Sequence, residues 1–380
     1  MIRVLIVSHA YSAEGPKGQM DALADLVELR LVAPPVWDEI KWPTSSGPRP
    51  YLDEYPRIRL GGHQYLLGSM TMGMRSFRPE IVHVDYEPWS VIFWQTRLAA
   101  ALFARGARVV VGGKKNTYRR YGGLAGKIKD SLARAGLKLV AGVEAASRMA
   151  AGMYAREFAF PRDRIAVVTH VGVDVENFEP AAGRARTDAD PLVVGYCGQF
   201  SEHKGLRTLV AAVEAARAAG HDLHLDLLGE GDLRPELERQ ALTRPWMKVE
   251  DPVEHDQVAG FMKGLDLYVL PAHVLPDHEE HDGHALLQAL SCGLPSIGTR
   301  SGIIPEILTG DLEQLVEPAD VAGLAAALGK FATDPGLRER LARRSRELVL
   351  ERYSFQQVAR RKTANYHRLL GVGGEEENDG

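Results

Sequence analysis

Residues 265–306 alternate a buried-strand pattern with a helical one, and that alternation constrains the fold more than any other feature. Residues 265–271 are an apolar run closed by Pro271, with the length and composition of a strand covered on both faces. A polar loop follows, with His273, His278, His281 and His284 interleaved with Asp277, Glu279, Glu280 and Asp282. From Gly283 to Cys292 the spacing turns helical. Leu286, Leu287 and Leu290 share a core-facing side, His284, Gln288 and Ser291 form a polar side, and Gly293 is placed to stop the helix. Residues 296–299 read as the next strand. Strand, loop, helix, strand is the unit of an open parallel sheet, in which ligands sit at the carboxyl ends of strands and on helix N-termini.

The same alternation runs through the rest of the chain. Residues 3–8, 29–32, 81–84 and 108–111 read as strands separated by helical segments, which argues for right-handed βαβ units. The residues at their ends are His9 and Tyr11, then Asp85, Tyr86, Glu87 and Pro88, then Lys114, Lys115 and Asn116. Asp85 and Glu87 read equally well as strand-end caps and as groups that hold a bound molecule. In the second half, the strand 192–197 meets Gly198, Gln199, Lys204 and Gly205 before the helical run 206–219. A glycine-containing turn of this kind gathers backbone N–H groups and the positive end of a helix, and Lys204 adds a full charge, so the turn suits a diphosphate. Gly229 and Gly231 after the strand 225–228 are a weak signal, because turn glycines are common. Residues 331–370 read as helical throughout.

With 380 residues, the chain suits two domains. Hydrophobic residues make up 45% and charged ones 25%, as in globular proteins with large cores. The formal net charge of −4 provides no global field for nucleic acid. Cys197 and Cys292 form neither a disulfide framework nor a metal-ligand spacing, and no apolar run is long enough to cross a bilayer. A cytoplasmic protein is expected. The boundaries read as a first domain over 1–182, a polar linker over 183–191, a second domain over 192–354 and a disordered acidic tail over 371–380. Residues 114–138 are basic, and Leu124, Ile128, Leu132, Ala135 and Leu139 recur there at helical spacing. One account packs that apolar face on the sheet. The other is peripheral contact with anionic lipid or a phosphorylated acceptor.

In order and spacing these motifs resemble glycosyltransferase family four, the retaining enzymes with a GT-B fold. Glu280 stands at the first acid of that family's donor-sugar motif and Gln288 at the second, where Glu is usual. Gly283 matches a glycine between them, and Ser301, Gly302, Pro305 and Glu306 match the tail. Lys204 and Gly205 match the diphosphate turn, with Gln199 where Arg is usual. Gly172, Val173, Asp174 and Phe178 resemble the family's end of the N-terminal domain. The run from His83 to Trp89 is similar to one branch, in which an Asn loop, here Asn116, replaces a His. The resemblance is strong over 165–353 and looser before it.

The resemblance implies an α/β chain of GT-B type, two Rossmann-like domains with parallel sheets facing a central cleft, the helix 355–370 crossing back to the first. It implies metal-independent transfer of a sugar from a nucleotide diphosphate sugar, UDP ahead of GDP. The acceptor would be a glycan or lipid-linked saccharide for cell-surface polysaccharide, with no cofactor. Lys204, Glu280 and Asn116 would be catalytic. Gly198, Gln199, Gly205, Val253, Gly283, His284 and Gln288 would bind the donor, residues 252–254 meeting the base. Tyr11, Glu87 and Lys114 would lie on the acceptor side. Two other readings stand beside this one: a binding protein on a degenerate GT-B fold, motivated by Gln199 and Gln288, and a metal-dependent hydrolase built on the His-rich loop. A dinucleotide-binding dehydrogenase is disfavoured, because no G-x-G-x-x-G follows the first strand.

Overall fold

The computed structural model describes residues 1–9, 14–33, 49–54, 57–61, 64–67, 70–113, 122–181, 190–276, 278–312 and 314–372. The chain forms two compact units, one from Met1–Val171 together with the chain from Phe355 onward, the other from Gly172–Ser354. Among the described residues the first unit carries strands β1 (Arg3–Val7), β2 (Glu28–Ala33), β3 (Leu52–Glu54), the antiparallel ribbon β4 (Arg57–Gly61) and β5 (Gln64–Leu67), then β6 (Ile81–Val84), β7 (Arg108–Gly113), β8 (Gly142–Ala145) and β9 (Ile165–Val167). Without the ribbon they make a parallel sheet in the order β3-β2-β1-β6-β7-β8-β9. β6 and β8 are buried along their whole length, with His83 and Glu144 inside them paired to side chains in the core, so β8 carries no apolar run that would mark it as a strand.

The helix Phe355–Leu370 completes this unit. It buries Ala359 and Tyr366 in the same core cluster as Val4, Ile6, Leu29 and Leu31 of β1 and β2, and Val358 is fully buried as well. At Gly18 a Cβ would stand 2.6 Å from the Phe355 ring, so glycine lets that ring lie against the helix Glu14–Ala24. Below it, Lys362 Nζ pairs with Glu144 Oε1 on β8, both side chains 2% exposed, and Asn365 Nδ2 donates to Glu144 Oε2 at 3.1 Å. The carboxylate is thus fully partnered in the core, and only this registry of helix on strand partners it.

The second unit carries β10 (Leu192–Cys197), β11 (Leu223–Leu228), β12 (Met247–Glu250), β13 (Leu267–Leu270), β14 (Ser296–Thr299) and β15 (Leu315–Val316), parallel in the order β12-β11-β10-β13-β14-β15. The boundary falls at Val171/Gly172 and not at the expected linker 183–191, of which 182–189 lie outside the described residues. The reason is physical. Phe178 is buried in the second core, and Arg346 donates to the carbonyls of Val175, Phe178 and Ser291, each at 2.8 Å. Val173 N–H also donates to Tyr353 O at 2.8 Å.

One further expectation is refined and another corrected. Residues 331–370 are helical with breaks at Asp334 and at Tyr353–Ser354. The helices Val321–Thr333, Pro335–Arg352 and Phe355–Leu370 are separate, the second opened by Asp334 capping Leu337 N–H at 2.8 Å with Pro335 in its first turn. The helix Gly123–Lys138 does not pack the stripe of Leu124, Ile128 and Leu132 inward. It buries Gly126, Ala133, Gly136 and Leu137, and leaves Leu124 and Ile128 75% and 51% exposed. Small residues win the buried side because they allow close approach: a Cβ on Gly136 would meet the Phe93 ring at 2.7 Å and Pro88 O at 2.8 Å.

Lys362→Met leaves Glu144 charged, buried and without its cation, so unfolding in urea is expected to show a loss of about 3–5 kcal/mol. Lys362→Met combined with Glu144→Gln should recover part of that loss. Equal stability of the single variant and the parent would mean the pair contributes nothing to seating the helix.

Candidate active site

In the second unit the sheet order reverses between β10, which has β11 on one side, and β13 on the other. The loops leaving these two strands therefore meet at a topological switch point, where open parallel sheets bind ligands. The loop after β10 runs through Gly198 and the single turn Glu202–Lys204 to Gly205, which opens the helix Leu206–Ala218 at φ +71°. A Cβ on Gly205 would stand 1.9 Å from Pro271 O. Glycine thus lets this turn press against the end of β13, and His203 O accepts from His273 N–H at 2.8 Å. From there Lys204 Nζ reaches Glu280 Oε2 at 2.6 Å.

Glu280 is 7% exposed and held on every side. Its Oε1 accepts from Gly283 N–H at 3.4 Å, its own N–H donates to Ser301 Oγ at 3.3 Å, and its carbonyl accepts from Ile303 N–H at 3.0 Å. A Cβ on Gly302, at φ +51°, would lie 1.8 Å from Glu280 O, so the Ser301-Gly302 pair is the wall against which Glu280 sits. Gly283, at φ +57°, then opens the helix His284–Ser291. The structure brings Lys204, Gly205, Glu280 and Gly283 into one chain of contacts.

Burial works to raise the Glu280 carboxyl, but the charge and hydrogen bond of Lys204, with the Gly283 N–H behind them, outweigh it and hold the group below the ordinary carboxylate value. Histidines surround this pair. The His203 ring lies 4.0 Å from His278, and His278 lies 5.1 Å from His281. Burial, then the nearby His278 and Lys204, lower His203. His284 stacks on His255 at 5.8 Å, and burial pushes its imidazole down to about 4, so it is neutral at pH 7. Among the described residues no group of three or more His, Cys, Asp or Glu side chains is arranged to hold a metal ion.

Gln288 lies one turn into the helix His284–Ser291, 4% exposed, and its Nε2 is buried without a hydrogen-bond partner. A buried amide donor left unpaired costs on the order of 1–3 kcal/mol, so such groups point to a ligand. Other candidates are placed differently from expectation. The N–H of Gly198 is engaged by Leu228 O at 3.0 Å and that of Gly205 by Glu202 O at 3.2 Å, so these glycines shape the turn but do not lend their own amides to an anion. The Gln199 side chain is exposed, and its carbonyl accepts from Tyr196 OH at 2.9 Å. Val253 is exposed just beyond β12.

In the first unit the order reverses between β1 and β6, and His9 and Tyr86, just beyond those strands, bring their rings within 5.1 Å. Asp85, 4% exposed, sits 3.1 Å from His83 Nε2, and His83 Nδ1 lies 2.8 Å from Tyr366 OH. Glu87 is half-buried on the same loop. Tyr11, Lys114 and Asn116 lie outside the described residues. The Asp85–His83–Tyr366 chain escapes a reading of the sequence. His83 and Asp85 are visible as neighbours on one face of a strand, but Tyr366 is 283 positions away.

Residues 179–348 match the family model described as glycosyl transferases group 1. Among curated proteins, a glycogen synthase of Mycobacterium tuberculosis is 30% identical over 192 residues, 50% of this chain and 45% of that protein. A GDP-mannose-dependent alpha-(1-6)-phosphatidylinositol dimannoside mannosyltransferase of the same species is 31% identical over 199 residues, 51% of this chain and 50% of that one. The chain thus spans about half the length of the curated relatives it matches. Among solved structures, a sucrose-phosphate synthase of Thermosynechococcus elongatus superposes with a TM-score of 0.71 at 17% identity, covering 98% of this chain and 100% of that one. Anabaena HepE in complex with UDP superposes with a TM-score of 0.72 at 14% identity, covering 97% and 100%. The fold is that of the GT-B glycosyltransferases. Within this GT-B chain the matched span holds the whole constellation from Lys204 to Glu306, whereas the first unit's strand-end residues lie outside it.

With a depressed folded-state value, ionised Glu280 contributes stability that is fully present above the unfolded carboxylate value of about 4.3 and is lost as pH falls through the folded value. In Lys204→Met only burial and the weaker partners remain, so the Glu280 carboxyl is expected to titrate above the wild-type value. Carbon-detected NMR titration of both proteins checks this; an unchanged Glu280 titration would mean the pair does not form in solution.

Proposed function

We propose that the chain is a retaining, metal-independent glycosyltransferase that moves a hexosyl group from a nucleotide diphosphate sugar to a glycan or lipid-linked acceptor, in building a cell-surface polysaccharide. The observation that carries this reading is the Lys204–Glu280 pair, a cation and a carboxylate meeting at the switch point of a parallel sheet. In such a transfer the anomeric C–O bond to phosphate breaks and a C–O bond to the acceptor oxygen forms on the same face. The acceptor proton leaves with the departing diphosphate. Negative charge grows on that diphosphate, and a preorganised cation stabilises it most where water is excluded. Lys204 takes that role, Glu280 accepts from sugar hydroxyls, and the Gln288 amide donates to a ribose oxygen. Asn116 completes the catalytic set, with Tyr11, Glu87 and Lys114 toward the acceptor. A UDP-sugar is the first donor to test, because HepE is solved with UDP and with UDP-glucose; the GDP-mannose-dependent relative keeps GDP-sugars in the screen.

A second reading, a nucleotide-sugar-binding protein without transfer, is favoured by one observation. The exposed Gln199 leaves Lys204 as the matched cation of the turn, without the Arg usual beside it. Thermal-shift screening of UDP, GDP, ADP and their sugars, followed by a transfer assay with the nucleotide sugar that stabilises the protein, separates the two. Stabilisation without sugar release onto any glycan or lipid-linked acceptor would favour binding alone.

In that assay Lys204→Ala is expected to lower kcat by about 30- to 1000-fold, the equivalent of roughly 2–4 kcal/mol. Near-normal turnover would remove Lys204 from the reaction. Gln288→Leu carries a different signature, because it removes an unpaired buried donor. The apo protein should be as stable as the parent or more so, while donor Kd rises by roughly five- to tenfold. Calorimetric melting and titration read the two effects separately, and unchanged donor affinity would place the ribose elsewhere.

A further inference from the structure

The helix Gly123–Lys138 turns to solvent the side that its sequence marks as apolar. Leu124, Ile128 and Leu132 are 75%, 51% and 37% exposed, and Leu139 just past the helix end is 45% exposed. At 100° per residue, these four lie within an arc of about 80°, with the buried Gly126, Ala133 and Leu137 on the opposite side. Lys127, Arg134 and Lys138, all exposed, cluster within about 40° of one another along one flank of that stripe. The neighbouring helix Val91–Phe103, joined to this one by Arg97 Nε donating to Leu139 O at 3.2 Å, adds exposed Leu98, Leu102 and Phe103. Isolated surface leucines need no explanation, but a continuous stripe edged with cations does.

We infer that this face docks the protein on an anionic lipid bilayer, the apolar stripe entering the acyl boundary and the basic flank meeting the headgroups. Charge complementarity selects this occupant. The chain as a whole carries a formal charge of −4, so a basic flank here is a local feature aimed at an acidic surface. A second copy is a poorer fit, since a two-fold contact would lay this basic flank close to its own symmetry mate. Interfacial helices of this type combine buried apolar area with attraction to anionic headgroups. The inference does not depend on the transfer reaction, because neither helix contributes a residue to the proposed site.

The test is co-sedimentation of the full chain with vesicles of phosphatidylcholine alone and of phosphatidylcholine with phosphatidylglycerol, at low and high salt. The wild type is expected to sediment with the anionic vesicles, less so at high salt. Leu124→Glu with Ile128→Glu should lower the bound fraction by at least about tenfold. Lys127→Glu, Arg134→Glu and Lys138→Glu should each weaken binding by about fivefold. Leu124, Ile128, Lys127 and Lys138 are exposed, so melting temperatures of those variants should match the parent, while Arg134→Glu also loses a contact with the Phe158 ring at 5.5 Å and is judged against its own melting temperature. Wild type remaining in the supernatant with both vesicle types overturns the inference, as does binding that ignores headgroup charge. A dimer in light scattering that Leu124→Glu with Ile128→Glu dissociates would also overturn it, by assigning the face to a second copy.

Discussion

The ion pair between Lys204 and Glu280 sets the terms for the second unit's site. A carboxylate 7% exposed is unfavourable unless charge and hydrogen bonds replace its water, and here Lys204 and the Gly283 N–H do so. Each of those partners needs an unusual backbone to arrive. Lys204 is delivered by a turn that only Gly205 can press against Pro271 O, and Gly283 takes a left-handed conformation to aim its N–H at the carboxylate. Gly302 lets the following segment lie against Glu280 O. Three glycines far apart in sequence thus serve one contact, which accounts for their otherwise separate motifs.

The first unit is organised by a different polar interaction. Lys362, Asn365 and Tyr366 occupy one side of the helix Phe355–Leu370 and reach Glu144 on β8 and His83 on β6. Through His83 the helix stands directly behind Asp85, at the end of the strand whose loop carries Tyr86 and Glu87. An apolar helix could slide along the sheet with modest loss, whereas a buried Lys–Glu pair fixes both position and rotation, since any other registry leaves charges unpaired. The last helix therefore holds the strand end that faces the switch point of its own unit.

Strands such as β1, β7, β10 and β13 were legible because burial on both faces leaves mostly apolar runs, whereas β8 was not, because Glu144 sits inside it. Lys204, Gly205, Glu280 and Gly283 were legible because the turn chemistry is local. What escaped depends on distant partners or on a choice between two faces. Phe178 and its carbonyl belong to the second unit because Arg346, 168 positions later, captures them. Tyr366 meets His83 across most of the chain. The helix Gly123–Lys138 offered two possible buried sides, one of Leu124, Ile128 and Leu132 and one of Gly126, Ala133, Gly136 and Leu137. Periodicity alone favours the first, but close approach to Phe93 decides for the second. The amides of Gly198 and Gly205 misled for a similar reason: a glycine signals a turn, not that its N–H remains available.

Gln199 and Gln288 both stand where the resembling family carries charge, and the structure gives the two substitutions different weight. Gln199 is exposed and its side chain is not built into the turn, so the lost Arg leaves a gap in charge and not in packing. Gln288 is enclosed, and a Glu there would have to be buried as an anion, one turn along the helix that begins with the neutral His284. A neutral amide avoids a second buried carboxylate in a region whose matched cation is already engaged by Glu280. With the Arg gone, keeping that second acid would leave two carboxylates to draw on Lys204 alone. Measured against the resembling family, the two replacements remove one positive and one negative charge together. What remains is the Lys204–Glu280 pair and, on the helix His284–Ser291, a buried Gln288 amide whose Nε2 has no partner within the fold.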